Sequence, residues 1–152
     1  YLIMSDTRIL PDLQCSILCE DIRQENNGNP MLFGILTKVV VQQLPVTAHK
    51  IFCFNRWTAG VGEFTEQVKI IAPDGATTIC ENKTKYKLES PDNIQTTVHL
   101  LQNITFKDPG AYQIEINVDE VLKLRYPLPI VLVNPQDQAH NPSQDSPKST
   151  EE

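Results

Sequence analysis

Alternation of apolar and polar residues with a period of two is the feature that most constrains the fold of this chain. The clearest example is residues 110–118, in which every second residue from Tyr112 to Val118 is apolar and the residues between them are mostly polar. A half-buried β-strand gives this pattern because its successive side chains point to opposite faces of a sheet. The same period recurs over residues 64–72 and 94–100 and predicts two further strands.

Turn-forming sequences separate the predicted strands. They are rich in Asn, Asp, Pro and Gly, which favour tight turns: Asn26–Pro30, Pro73–Gly75 and Asp108–Gly110. The runs 31–41, 50–57 and 122–133 are apolar on both faces, which favours central or covered strands. Together the patterns predict an all-β protein, an antiparallel β-sandwich of about eight strands in an immunoglobulin-like or C2-like arrangement.

The chain of 152 residues has the length of one domain. We predict that residues 5–133 form the β-sandwich domain. Residues 134–152 are predicted to be a disordered polar tail, because they contain one Ala as their only aliphatic side chain and cannot bury enough surface to order themselves. The first residues lack the pattern of a signal peptide, and no apolar stretch has the length of a transmembrane helix.

The net charge of −6 argues against nucleic acid as a partner, because such proteins need a basic stripe to displace phosphate counterions. Lys83, Lys85 and Lys87 form the densest basic cluster, and their spacing of two would place them on one face of a strand. Lysines in this pattern are typical of an edge strand that resists aggregation.

Four cysteines are present, and no two of them form a C-x-x-C pair. On a strand, Cys15 and Cys19 would lie about 13 Å apart, which is too far for a disulfide bond. We predict that these two residues, Cys53 and Cys80 are free thiols in the core, with no metal site. This usage is typical of the reducing cytoplasm.

Catalytic motifs are absent from the sequence, and we predict that the protein is not an enzyme and carries no cofactor. A Cys53–His99 dyad has no local signature, and His99 is predicted to lie at a sheet surface, whereas Val98 and Leu100 share the half-buried face of 94–100. The aspartates of the predicted turns could gather a calcium ion, but Asp is also a favoured turn residue.

Two groups of residues are candidate functional features. Trp57 follows Arg56 at a predicted strand end beside a glycine-rich loop that leads to Glu63 and Phe64, and an exposed Trp is a common interface anchor. We therefore predict an interaction surface formed by Arg56, Trp57, Glu63 and Phe64; the alternative is that Trp57 packs into the rim of the core and Arg56 covers it. The second group is Asp21, Arg23 and Glu25, which would share one face of a strand and are predicted to form a structural ion pair.

Several segments carry a resemblance to known proteins: Leu18–Arg23, Leu32–Ile35, Phe54–Glu63, Ile70–Gly75, Gly110 with Tyr112, and Pro127–Leu132. Over residues 13 to 133 the chain resembles an uncharacterised family of small bacterial β-sandwich proteins. The resemblance implies the fold and a bacterial origin, but no mechanism. Asp108, Gly110 and Tyr112 also resemble the tyrosine corner of immunoglobulin-like sandwiches, although residue 114 is Ile where those domains have Cys.

These observations predict a non-catalytic protein-interaction or structural module of a bacterial cell, located in the cytoplasm. Its partner would be another protein rather than nucleic acid or a membrane, and exposed strand edges could also pair two copies of the chain. The alternative is a β-sandwich of an exported protein that binds carbohydrate or calcium. The small number of aromatic residues argues against a carbohydrate site.

Overall fold

The computed structural model describes residues 8–134, and the strands within it occupy residues 12–132. They are β1 (Asp12–Gln24), β2 (Pro30–Ile35), β3 (Val39–Val41), β4 (Val46–Thr58), β5 (Gly62–Ile71), β6 (Thr78–Leu88), β7 (Gln95–Phe106), β8 (Gly110–Val118) and β9 (Val121–Leu132). Residues 8–134 form no helix, and accordingly none with the length and apolarity to cross a membrane. Residues 5–7 of the predicted domain and 135–152 of the predicted tail lie outside the described residues.

The strands form two sheets, which confirms the predicted all-β sandwich. The four-stranded sheet has the order β2-β1-β4-β7, and the five-stranded sheet has the order β3-β9-β8-β5-β6. Neighbouring strands are antiparallel except for β3 and β9, which are parallel. The apolar run 31–41 supplies two strands rather than one, because the chain bends near Thr37 and passes from the first sheet to the second. This division raises the predicted eight strands to nine.

The core lies between the sheets and is mostly aliphatic and aromatic. At one end of it, the rings of Phe106 and Tyr112 meet edge to face, with centroids 5.0 Å apart. The Tyr112 hydroxyl donates a hydrogen bond of 2.8 Å to the backbone carbonyl of Asp108. This contact, at the start of β8, is the one that a tyrosine corner makes.

Both edges of the five-stranded sheet carry residues that discourage pairing with another chain. At one edge, β6 exposes Lys83, Lys85 and Lys87, as predicted from their spacing. At the other edge, β3 covers only the last residues of β9. The uncovered part of β9 includes Pro127 and Pro129, which have no N–H group to donate.

Candidate functional site

A buried polar cluster occupies the space between the sheets and is centred on Glu66 of β5, whose exposed fraction is zero. Four side chains of the opposite sheet contact its carboxyl oxygens. Trp57 donates through Nε1, and Asn55 donates through Nδ2 over 3.3 Å. The Thr97 hydroxyl lies 2.7 and 2.8 Å from the two oxygens, and His99 contacts Oε1 through Nε2. A single carboxyl group thus joins the two sheets through hydrogen bonds to β4 and β7.

The second ring nitrogen of His99 completes the cluster. Its Nδ1 lies 3.0 Å from the side-chain amide nitrogen of Asn82 on β6. Asn82 donates to Nδ1, and Nε2 carries the hydrogen that is given to Glu66, so the two contacts together fix one tautomer of the ring. Every polar group of the His99 side chain is therefore satisfied inside the protein.

The orientation of β7 differs from the one predicted. Thr97 and His99 point into the sandwich and have exposed fractions of 7% and 0%, whereas Val98 and Leu100 point outwards with 46% and 42% exposed. Apolar periodicity alone favoured the opposite arrangement. The physical reason is Glu66, since a buried carboxyl group requires polar partners and β7 supplies two of them.

A chain of polar contacts extends from the cluster towards the other side of the sandwich. Cys53 donates to the side-chain oxygen of Asn55 over 3.4 Å, and its sulfur lies 3.6 Å from the Ser16 hydroxyl. That hydroxyl is 2.9 Å from the hydroxyl of Tyr126 on β9. Burial raises the pKa of Cys53 to about 12, so this thiol stays protonated at neutral pH.

The chemistry open to this cluster is narrow. Cys53 and His99 are register partners on β4 and β7, so the two residues of the dyad considered above do lie side by side. However, both side chains are completely buried, as is Glu66, and a substrate cannot reach them in this arrangement. A protonated thiol is also a poor nucleophile. We therefore interpret the cluster as a structural element that fixes the position of the two sheets relative to each other.

A second feature is the outward side of the four-stranded sheet, where apolar side chains form two rows across the strands. The first row is Ile17, Phe54 and Val98, which are register partners on β1, β4 and β7. The second row runs across all four strands, from β2 to β7: Ile35, Cys19, Phe52 and Leu100. We call these seven residues the apolar outer face.

Side chains of the apolar outer face partly shield one another. Phe54 is only 5% exposed and Cys19 is fully buried, yet neither belongs to the core between the sheets. Around them Ile35 is 58% exposed and Leu100 is 42% exposed. An antiparallel sheet normally presents polar residues on its solvated side, so this face departs from the usual alternation.

The interaction surface predicted from Arg56, Trp57, Glu63 and Phe64 does not form in the structure. Trp57 and Phe64 belong to the core and are 0% and 2% exposed. Alternation along the strands places Arg56 on the outward side of the four-stranded sheet and Glu63 on the outward side of the five-stranded sheet. Trp57 instead stacks on Tyr86 at 5.6 Å and donates to Glu66.

The predicted ion pair is present in part. Arg23 Nε lies 3.2 Å from the Asp21 carboxylate and holds the pKa of Asp21 below its ordinary value. The guanidinium of Arg23 also lies over the Phe33 ring, 4.7 Å from its centroid. Glu25 is not part of the pair; its backbone closes the turn to β2 through Asn29. Asp21 and Arg23 lie on the outward side of the four-stranded sheet, beyond the apolar residue Cys19 of β1.

Two of the turn aspartates considered for calcium, Asp74 and Asp119, accept hydrogen bonds from backbone N–H groups. Asp74 accepts hydrogen bonds of 2.8 Å from the backbone N–H groups of Ala76 and Thr77. Asp119 accepts one of 2.9 Å from the N–H of Thr65. Among residues 8–134, no three metal-ligating side chains of His, Cys, Asp or Glu converge.

Sequence reasoning missed both the cluster and the apolar outer face, although each left a signal. Glu66 occupies an apolar face of the pattern over 64–72, where a charged residue requires a buried partner. Phe52 and Phe54 alternate with inward residues of β4 and would face the other way. Neither signal identifies the partner strand, because those contacts are distant in sequence.

Comparison with curated proteins gives no match. A family model does match the chain, over residues 14–131, and it covers every strand except the ends of β1 and β9. The matched family is described as a family of unknown function, so the match assigns no activity. With most of its length matched in this way, the chain belongs to the family of unknown function DUF6941.

Proposed function

We propose that this chain is a non-catalytic protein-interaction module that binds its partner through the apolar outer face. The observation that carries the proposal is the continuity of that face, whose second row crosses all four strands without a charged residue. Contiguous exposed apolar patches on soluble domains usually mark binding surfaces. Burying such side chains in an interface would supply the main driving force for association.

The internal cluster supports this proposal because it holds β7 in the orientation that exposes the face. A shift of one residue in β7 would turn Val98 and Leu100 inwards and would expose His99. The contacts of Glu66 with Thr97 and His99 stabilise the observed register instead. The exposure of apolar side chains is therefore fixed by specific buried contacts.

The strand order supports an immunoglobulin-like arrangement rather than a C2-like one. Strands β1, β4 and β7 correspond in order to A, B and E of immunoglobulin sandwiches, and β5, β8 and β9 correspond to C, F and G. The tyrosine corner at the start of β8 occupies the place that it has at the start of strand F.

We further propose that the module works in the bacterial cytoplasm. The four cysteines of the chain are all free, with Cys19 and Cys53 buried and Cys15 and Cys80 half-buried. Free thiols support a reducing compartment. The inaccessible positions of Cys53, Glu66 and His99 support a non-catalytic role.

The test is capture of binding proteins on the immobilised 152-residue chain from an extract of the native host. We compare the wild type with Leu100→Asp, in the apolar outer face, and with Leu122→Asp, a control leucine of the five-stranded sheet. The two leucines are 42% and 48% exposed, so they are closely matched. We expect bound protein, other copies of the chain included, to be retained by the wild type and Leu122→Asp and lost with Leu100→Asp. The same proteins on all three would overturn the proposal.

A further inference from the structure

We propose that the occupant of the apolar outer face is a second copy of this chain, packed sheet against sheet around a twofold axis. The inference rests on the proposed function and names its partner. It is carried by the order of the strands, by the charges at one end of the face and by the area of the sheet.

The strand order makes the face complementary to itself. A twofold axis that lies between β1 and β4, parallel to both, places β1 of one copy over β4 of the other and β2 over β7. Each apolar row then meets an apolar row of the partner. Ile17 lies over the second copy's Phe54, Cys19 over its Phe52, and Ile35 over its Leu100.

Charges at the end of the face favour the same axis. Continuing the register of β1 and β4 past Cys19 and Phe52 places Asp21 opposite Lys50. The pKa of Asp21 is lowered mainly by the hydrogen bond from Arg23, then by the one from the Ile22 backbone, and the positive charge of Lys50 adds a smaller contribution. The twofold axis brings Asp21 of each copy over Lys50 of the other, which gives four charges of alternating sign.

The other simple twofold axis is disfavoured by charge. An axis across the strands would place β4 over β4 with its ends reversed, so that Arg56 at one end of the apolar rows would approach Lys50 at the other end. Like charges placed opposite each other across an interface oppose association. The parallel axis avoids this contact.

The dimensions of the sheet suit a stable dimer. Strands β2, β1, β4 and β7 hold 6, 13, 13 and 12 residues, and at a rise of about 3.4 Å per residue and a strand spacing of about 4.8 Å they cover about 700 Å². This area is close to the roughly 800 Å² that each partner contributes to a standard interface. Sheets that pack face to face in this way align within about 30° because of their own twist.

Association of two copies through the edges of the five-stranded sheet is less favourable than association through the apolar outer face. The five-stranded sheet has lysines on β6 and prolines on β9, and both disfavour the addition of a strand. The rows of the apolar outer face contain neither lysine nor proline. We therefore assign self-association to this face rather than to an edge of the five-stranded sheet.

The first experiment measures the mass of the full chain in solution by sedimentation velocity over a range of concentrations. We expect a dimer for the wild type and for Leu122→Asp, and a dissociation constant at least about tenfold higher for Leu100→Asp, since a charge placed against the apolar Ile35 of the second copy opposes association. Circular dichroism shows whether each variant is folded.

The second experiment tests the axis and changes only the half-buried Asp21 and the exposed Lys50, neither of which lies in the core, so it stands even where Leu100→Asp does not fold. Asp21→Lys alone places four positive charges at the centre of the charged end, and Lys50→Asp alone places four negative charges there. We expect each variant to dimerise at least about tenfold more weakly than the wild type. An equimolar mixture should form a heterodimer, detected by native mass spectrometry from the difference in mass.

The outcomes separate this inference from the proposed function. A wild type that stays monomeric at all concentrations overturns the second copy as partner. The proposed function then survives if capture from extract still depends on Leu100, and fails if it does not. A dimer that Leu100→Asp leaves intact overturns the assignment of the face. Loss of the dimer in Leu100→Asp without a heterodimer in the charge-reversed mixture overturns the twofold axis.

Discussion

The outward sides of the two sheets differ in chemical character, because one carries mostly charged side chains and the other carries rows of apolar ones. A row across four strands of the five-stranded sheet holds Arg125, Glu115, Lys69 and Glu81, whose charges alternate in sign. The corresponding row across the four-stranded sheet holds Ile35, Cys19, Phe52 and Leu100. Charged ladders of the first kind keep a sheet solvated, whereas the second kind is suited to contact with another protein.

The difference arises inside the sandwich. In the five-stranded sheet most inward residues are apolar, and the polar exceptions on β5 and β6 are Glu66, Asn82 and Thr84. In the four-stranded sheet, Asn55, Thr97 and His99 point inwards to meet that carboxyl group, and their apolar neighbours are turned outwards. One buried acid of the five-stranded sheet thus determines the character of the outer surface of the four-stranded sheet.

The largest effect should come from removing that acid. Glu66→Ala leaves the donor groups of Trp57, Asn55 and His99 without an acceptor in a closed interior and also creates a cavity. We expect the free energy of unfolding to fall by at least about 3 kcal/mol, as measured by denaturant titration.

Gln67→Ala is the matched control, because Gln67 is the next residue of β5 and points outwards. It should change the free energy of unfolding by less than about 1 kcal/mol. Glu66→Gln keeps the shape of the side chain and one acceptor oxygen. The fall in its free energy of unfolding should therefore lie between those of the other two variants. If Glu66→Ala were no more damaging than Gln67→Ala, the cluster would not be what holds the sheets in register.

The sequence predicted the architecture because most strands are locally consistent. The alternation in 110–118, the lysines of β6 and the turn residues each point to the element that forms there. The orientation predicted for residues 94–100 was wrong because the apolar residues of this stretch point outwards. Its inward residues are decided by Glu66, which lies about 30 positions away and outside any local pattern. The tyrosine corner was predictable because its contacts span four residues.

The same logic explains why Trp57 was misplaced as a surface anchor. A Trp beside a flexible loop often lies at an interface, but here its N–H group finds an acceptor in the core, on Glu66. The residues that do form an apolar surface are individually ordinary strand residues. They become a continuous face only when four strands are brought into register, and a single sequence does not specify that register.

A second prediction compares the central strands of the two outer sides. Phe54 of β4 is 5% exposed although it points away from the core, and Lys69 occupies the equivalent central position of β5. Phe54→Ala should lower the free energy of unfolding by about 2–3 kcal/mol because it removes a ring that its neighbours cover. Lys69→Ala shortens an outward side chain between Glu115 and Glu81 and should cost less than about 1 kcal/mol.

Both variants are measured at one protein concentration, because association of the wild type would itself stabilise the folded chain. Equal losses for Phe54→Ala and Lys69→Ala would show that the apolar outer face contributes no more to stability than the charged one. The face would then act in binding alone.

The smallest expected effect concerns the half-buried thiols of Cys15 and Cys80. Cys15 lies opposite Arg56, next to the apolar rows, and the twofold dimer would cover it. Cys80 lies on β6 of the other sheet, where the dimer leaves it as accessible as in the monomer. Alkylation of Cys15 by iodoacetamide should therefore slow several-fold as the protein concentration is raised through the dissociation constant, and that of Cys80 should not.

Peptide mass spectrometry follows each thiol separately, and the alkylation rate of each thiol at high protein concentration is compared with its own rate at low concentration. This comparison is needed because burial raises the pKa of Cys80 above its ordinary value and lowers its reactivity at any concentration. In Leu100→Asp the concentration dependence at Cys15 should disappear while that thiol stays reactive. If Cys15 and Cys80 slowed together, association would involve both sheets, and the contrast between the two outer sides would not determine how copies of the chain meet.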